Sequence, residues 1–325
     1  MVIFPLTRSL LLKQNFCRGV VMIPPHSRSW EGEVYHNRKL KKQLLDSAGP
    51  DTFVNQLYSE WEQFAQAVET FLGIPVEKYT PTNLEGKSPL PPDIFFPCDS
   101  AVVAGSGVFF PRMGAKSRVN EPDFVREYFE NKADFVHCLE KPGKFEGGDA
   151  LVFQINGKFV AILGKRPRRR SPDGLCVRTN EEGRIAFTKF LHTAYQKRFC
   201  GAVTTHTACL HVGTSCEIIQ AGPDEPIWIC HNEWLKDPKK LASDLCRMLS
   251  LSKGAIRTHQ VPRDENWAAP IFSHEGKGII QEKSPETIDW LKSIGFNCLL
   301  FIFEHVQAAD GNMRCLVQPT PQPAC

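Results

Sequence analysis

The chain has 325 residues, 42% of them hydrophobic and 23% charged, with a formal net charge of +3 at pH 7. This is the composition of a globular protein with a sizeable core, and so balanced a charge gives no general affinity for nucleic acid. No apolar run approaches the roughly 18 residues that a membrane-spanning helix needs. Residues 1–19 read as a leader of uncertain structure, and residues 20–325 as a single domain. The leader carries Arg8, Lys13 and Arg18 and no acid. It leaves mitochondrial import open beside the expected cytoplasmic location, while Leu10-Leu11-Leu12 is too short for a signal-peptide core. Apolar residues at helical spacing (Leu57, Trp61, Phe64, Val68, Phe71, Leu72) predict a helix over 53–72, followed by a strand over 76–79 and a proline-rich loop over 81–92.

From there a block recurs. Strands at 101–104 and 108–110 flank the turn Gly105-Ser106-Gly107, then come a helix at 122–129 and a strand at 135–138. The same order returns as strands 150–154 and 159–163 around Asn156-Gly157, a helix within 179–195 and a strand at 202–204. It returns again as 215–220, 227–230, helix 238–249 and 256–261, and once more as 270–272, 278–281, helix 285–294 and 298–301. A C-terminal strand at 314–317 pairing with 20–23 would complete a fifth copy with the helix 53–72 and the strand 76–79. Units of strand, strand, helix, strand repeated five times predict an α/β protein built as a five-bladed propeller, with loops from several blades meeting at its centre.

Three stretches stand at corresponding ends of these units: Glu146-Gly147-Gly148-Asp149, Leu210-His211-Val212-Gly213-Thr214 and Asp310-Gly311-Asn312-Met313-Arg314-Cys315. An acid, a histidine and a cysteine are the parts of a thiol nucleophile with an oriented base. The other cysteines, of 12 in all, form no C-x-x-C pair and no metal-binding spacing. They read as reduced, mostly buried thiols.

The order and flanks of these stretches resemble the guanidine-modifying, or pentein, superfamily over about residues 20–319. The greatest likeness is to dimethylarginine dimethylaminohydrolase. It rests on Asp93-Ile94-Phe95-Phe96-Pro97-Cys98-Asp99, on Arg112-Met113-Gly114-Ala115-Lys116-Ser117-Arg118, and on Gly164-Lys165-Arg166. The resemblance implies the pentein fold and a hydrolase that converts an Nω-methylated L-arginine to citrulline and an alkylamine, within arginine metabolism and nitric oxide regulation. In that reading Cys315 is the nucleophile, His211 the acid and base, and Glu146 its orienting group. Asp93 and Asp99 contact substrate nitrogens, Arg118 and Arg166 hold the substrate carboxylate, and Ile23 and Ala309 offer backbone groups. No metal or organic cofactor is implied. The partner is a small molecule, with neither nucleic acid nor membrane, and the chain is a monomer or homodimer.

Three departures keep other readings open. Cys98 stands where the family commonly has glutamate. Gly213 stands where deiminases and amidinotransferases have aspartate, and its smallness fits a methylated nitrogen with fewer donors. Cys315 is followed by Leu316-Val317-Gln318-Pro319, and Cys-x-x-x-Pro is similar to the deiminase branch. Arginine or agmatine deimination, amidino transfer, and a catalytically silent guanidine-binding or interaction protein are the alternatives.

Overall fold

The computed structural model describes residues 11–14, 19–26, 42–43, 45–46, 49–81, 91, 93–165 and 178–322. The predicted loop 81–92 and Arg166 therefore lie largely or wholly outside the described residues. Among the described residues the fold is mixed α/β, with five separate sheets. Strand β1 (Leu12–Gln14) belongs to the third of them. The first joins β2 (Val20–Met22) to β3 (Val76–Lys78), and the second contains β4 (Val102–Ala104), β5 (Gly107–Phe110) and β6 (Phe135–Cys138). The third holds β7 (Ala150–Ile155), β8 (Lys158–Lys165) and β9 (Phe199–His206), and the fourth β10 (Cys216–Ile219), β11 (Ile227–His231) and β12 (Ile256–Gln260). The fifth comprises β13 (Phe272–His274), β14 (Lys277–Gln281) and β15 (Asn297–Phe301). Strand β16 (Gln318–Pro319) returns to the first sheet beside β2. In every sheet an antiparallel pair is followed by a parallel one, and a helix makes the parallel crossover. A parallel neighbour needs such a crossover, which is why the strand, strand, helix, strand order recurs.

The crossover helices are visible in sequence because each presents an apolar stripe. Helix Pro50–Ala67 begins with proline at a position where no amide partner is lost, and it buries Phe53, Leu57, Trp61 and Phe64. Each such side chain contributes on the order of 1.5–3 kcal/mol when fully buried. The helix continues through a π-helical turn, Val68–Leu72, and stops at Gly73, whose φ of 74° suits glycine. Helices Glu121–Glu130, Glu181–Tyr195, Pro238–Met248 and Pro285–Ser293 do the same for the other four sheets. The apolar side chains divide accordingly into several local clusters.

Two expectations are corrected. The segment 314–317 is not a strand: Met313–Leu316 is a 3-10 turn because the Asn312 side chain accepts from the backbone N–H of Arg314 and Cys315. The pairing with residues 20–21 is made instead by Gln318–Pro319. The strand expected at 270–272 starts at Phe272, past Pro270, which has no N–H to give a ladder. Within the expected leader, Leu12–Gln14 pairs with Phe153–Ile155, and Leu12 N–H donates to the Gln220 side chain.

Candidate active site

The acid, the histidine and the cysteine come from three different sheets' loops and meet. Glu146 precedes the 3-10 turn Gly147–Asp149, which leads into β7. Its backbone N–H donates to Thr179 Oγ1 at 3.2 Å. The side chain is completely buried and fully used. Oε1 accepts from the backbone N–H groups of Gly114 and Ala115 at 3.1 and 3.0 Å, and Oε2 accepts from Arg178 Nη1 at 2.9 Å and His211 Nε2 at 2.8 Å. Burial pushes this carboxyl up, but the Arg178 guanidinium and the His211 hydrogen bond outweigh it and hold it well below the usual carboxylate range.

An ionised Glu146 can only accept, so His211 Nε2 carries a proton. Proton exchange with a ligand is thereby left to Nδ1, which sits 3.6 Å from Asp99 Oδ1. Burial lowers the imidazole's pKa, while Asp99 and Glu146 raise it by more, so the net displacement is upward. The ring is set by its own backbone. His211 starts the turn Val212–Thr214, its carbonyl accepts from Thr214 Oγ1 at 2.8 Å and Cys209 Sγ at 2.9 Å, and its N–H donates to Thr214 Oγ1 at 3.3 Å.

Asp99 lies in the short helix Pro97–Ser100. Its Oδ1 accepts from Gly148 N at 2.9 Å and its Oδ2 from Arg118 Nη1 at 2.6 Å. Burial favours its neutral form, yet His211 and Arg118 bring its pKa below the usual value. Gly148 passes so close that an added Cβ would lie 2.6 Å from both Asp99 Oδ1 and His211 Nδ1. Gly148→Ala is therefore expected to cost about 1–3 kcal/mol of stability through overpacking. Gly222→Ala, where a Cβ would first meet Glu225 Cγ at 3.8 Å, should be near neutral in the same thermal unfolding experiment.

Cys315 is half-buried at the turn Met313–Leu316, and its N–H is held by Asn312. The neighbouring Cys98 thiol, whose sulfur also donates to Asp99 Oδ1 at 3.5 Å, lowers the pKa of Cys315 ahead of the opposing effects of burial and Asp99; Asn312 and His211 add to the lowering. The Cys98 thiol is pushed well up by Cys315 and by burial. One cavity is lined by Asp93, Asp99, His211, Ala309, Asp310 and Cys315. A second shares His211 and Cys315 with it, takes in Cys98, is walled by Val102, Val152 and Val317, and includes Gly213 and Arg314. Arg314 is anchored there by an ion pair with the buried Glu217 at 2.7 Å.

The remaining expected residues fare differently. Asp93 is buried beside the first cavity, its carboxylate 3.9 Å from Arg118 Nε. Arg118 is 3% exposed and its fork is occupied: Nε and Nη2 meet the two Glu121 oxygens at 2.6 and 2.7 Å, and Nη1 meets Asp99. It faces protein carboxylates in the way it was expected to face a ligand's. Ile23 packs in the apolar cluster of Ile94, Val103 and Phe110. Glu121 and Arg178 were not anticipated. The spacing of Arg118 and Glu121, one helical turn apart, was the available signal for Glu121, whereas Arg178 is brought to Glu146 from 32 residues away. Among the described residues, no group of three or more His, Cys, Asp or Glu side chains could hold a metal ion, and no helix is long and apolar enough to cross a membrane.

No protein-family model matches the chain. An uncharacterized protein of Aeropyrum pernix is 25% identical over 232 residues, covering 70% of this chain and 73% of that one. Solved structures are similar over almost the whole length. Dimethylarginine dimethylaminohydrolase of Pseudomonas aeruginosa, a cysteine-to-serine variant complexed with citrulline, superposes with a TM-score of 0.67 at 15% identity, covering 93% of this chain and 98% of that one. The N-terminal domain of ArgZ, a cyanobacterial arginine dihydrolase, covalently bound to a reaction intermediate, gives 0.67 at 16% identity, with 93% and 97% covered. The chain thus has the pentein fold, in the form carried by dimethylarginine dimethylaminohydrolase.

Proposed function

We propose that the chain hydrolyses a substituted guanidine through a covalent intermediate on Cys315, with an Nω-methylated L-arginine as the favoured substrate. The observation that carries this reading is His211, held from behind by Glu146 at 2.8 Å, lining the same cavity as Cys315, Asp93, Asp99 and Asp310. A guanidinium carbon is a poor electrophile, and carboxylates that fix its planar cation let a held thiolate reach it. Cys315 sulfur adds to that carbon, and His211 Nδ1–H gives its proton to the departing alkylamine. His211 then takes a proton from water, which attacks the thiouronium carbon. As the thiolate leaves, the remaining hydroxyl proton passes to solvent, and a ureido group remains. Glu146 holds the imidazole in the orientation that both proton transfers need. No metal or organic cofactor enters these steps. Asp99 and Asp93 take the guanidinium nitrogens, Ala309 contributes wall and backbone, and Arg166 is the candidate for a substrate carboxylate. Ile23 contributes through its backbone at most.

The fold reading that accompanies this is a ring of five blades. Five sheets with one strand order and the pairing of β16 with β2 support it. Loops at one end of such a ring would converge where Glu146, His211 and Cys315 meet.

Arginine itself is the second reading, favoured by the likeness to the arginine dihydrolase domain. Gly213 tips the balance to a methylated nitrogen, since an aspartate there would serve an unsubstituted one. Purified protein should release citrulline and an alkylamine from asymmetric dimethylarginine, while Cys315→Ser should release neither. Ammonia from arginine or agmatine would move the substrate, and a new guanidine formed with an acceptor amine would make the chain an amidinotransferase. Equal inactivity of both proteins on every guanidine, with binding retained, would leave a silent guanidine-binding protein.

A further inference from the structure

Cys98 has no place in the hydrolytic scheme, yet it lines a cavity together with the residue on which that scheme depends. The helix Pro97–Ser100 packs directly on the turn Met313–Leu316, and residues 217 positions apart thereby bring two thiols to one cavity. Both are reduced, and both line one cavity whose wall is otherwise mainly small and apolar: Val102, Val103, Ala150, Val152 and Val317. A small neutral molecule can therefore meet this pair without having to satisfy the carboxylates of the other cavity.

We propose that Cys98 is a resolving thiol for Cys315, so that small organic disulfides close a Cys98–Cys315 disulfide that reversibly removes the nucleophile. Cys315 thiolate attacks one sulfur of the disulfide RSSR, the S–S bond breaks, and RS⁻ leaves. Cys98 then gives up its proton to solvent, and its thiolate attacks the Cys315 sulfur of the mixed disulfide and expels the second RS⁻. Two thiols are oxidised, one disulfide is reduced, and two RSH form.

The electrostatics order the two steps. The neighbouring Cys98 thiol lowers the pKa of Cys315, which makes it the first attacker. The Cys315 sulfur beside it, then burial, then Asp99 and the Cys315 charge keep Cys98 protonated. Once Cys315 is a neutral mixed disulfide, two of those causes disappear and Cys98 becomes easier to ionise. A glutamate at position 98 could hold a substrate but could not resolve the nucleophile, so the substitution that weakens the likeness to the family supplies this chemistry. The inference uses the proposed role of Cys315 only for its consequence on activity; the disulfide itself needs no turnover.

The test is peptide mapping of the full-length reduced protein after exposure to 2-hydroxyethyl disulfide, with free thiols alkylated. The expected product is a dithiothreitol-sensitive cross-link between the peptides that carry Cys98 and Cys315, with Cys230 and Cys246 still alkylated after unfolding. In Cys98→Ser and Cys98→Ala, Cys315 should instead stop at the hydroxyethyl adduct. A wild-type protein that accumulates the adduct on Cys315 while Cys98 remains alkylatable would overturn the proposal, whether or not the variants fold. If the cross-link forms and the protein has no guanidine hydrolase activity before or after reduction, the resolving role stands and the hydrolase reading fails.

Discussion

Arg118→Met is expected to destabilise the protein by about 3–5 kcal/mol, because it leaves buried carboxylates without their counter-ion. Arg118 is joined to Glu121 by two hydrogen bonds of 2.6 and 2.7 Å, to Asp99 by one of 2.6 Å, and its Nη2 reaches the Asp93 carbonyl at 3.4 Å. Methionine fills much of the same volume, so the loss measures charge more than packing. Lysine should restore only part of it, since a single ammonium cannot span Glu121 and Asp99 as a planar fork does. The loss should also depend on pH, with a sign fixed by linkage. Asp99 has a lowered pKa in the folded protein. Its contribution is present above the unfolded carboxyl value of about 4 and is lost as pH falls through the folded value. Glu121 has a raised pKa, chiefly through burial, with Arg118 and Ser100 opposing the rise. Removing Arg118 raises both groups, so the deficit of Arg118→Met should be largest at neutral pH, where both carboxylates are buried as charges, and should shrink as pH falls and they take up protons in the folded state. Urea unfolding of wild type, Arg118→Met, Arg118→Lys and Arg118→Met with Glu121→Gln checks this. The double variant should recover part of the loss, because a neutral amide with the shape of Glu121 no longer needs the cation. A single variant as stable as wild type would show that the cluster carries no net stabilisation.

The repeated block was legible in the sequence because its parts obey local rules. Apolar residues at helical spacing marked the helix around Trp61, and Asn156-Gly157, with φ of 51° and 79°, marked the turn between β7 and β8. The antiparallel and parallel pairings inside each unit followed from the order of elements. Local side-chain competition was less visible. Asn312 folds the chain around Cys315 into a turn by accepting two backbone N–H groups, and a strand assignment from β-propensity cannot see that. Long-range charge pairing was less visible still. Glu146 was singled out by its neighbours Gly147 and Gly148, but its partners Arg178, Gly114 and Ala115 come from segments more than 30 residues distant. The same limit applied to Arg118. Sequence likeness marked it as a residue for carboxylates, and the fold supplies Glu121 and Asp99. Its fork therefore places Asp99, and through Asp99 the position of Gly148 and His211. Nothing in the sequence indicated that Cys98 and Cys315 would line one cavity.

Glu146→Gln is expected to lower kcat for guanidine hydrolysis by about 10³–10⁴-fold, the scale seen when the group that orients a catalytic histidine loses its charge. The amide can still accept from Gly114 and Ala115 through its oxygen. However, one terminus now presents N–H where Oε2 received both Arg178 and His211. His211 Nε2 then faces a donor, which favours the tautomer with the proton on Nδ1 or turns the ring away from the cavity. The pH profile separates this from simple disruption. In wild type the imidazole stays protonated to higher pH than a free histidine, at about 6.5, because Asp99 and Glu146 outweigh burial. Activity that needs the His211 proton for the leaving amine falls as pH rises through that raised value. Losing the Glu146 charge lowers the imidazole's pKa, so the alkaline limb should move to lower pH in the variant. The Cys315 limb should move much less, since Cys98 is the largest cause of its lowered pKa. KM should change less than kcat, because Glu146 is walled off behind His211 and Arg178 with no exposed surface. Glu146→Asp keeps the charge but withdraws it by one methylene, and should restore part of the pH profile without restoring kcat. An unshifted alkaline limb in Glu146→Gln, measured on protein shown to be folded, would mean that His211 does not deliver the proton. The departing amine would then have to be protonated by another group in the cavity, and Asp99, hydrogen-bonded to Gly148 and Arg118 and facing His211 Nδ1, is the carboxyl placed to be tested next.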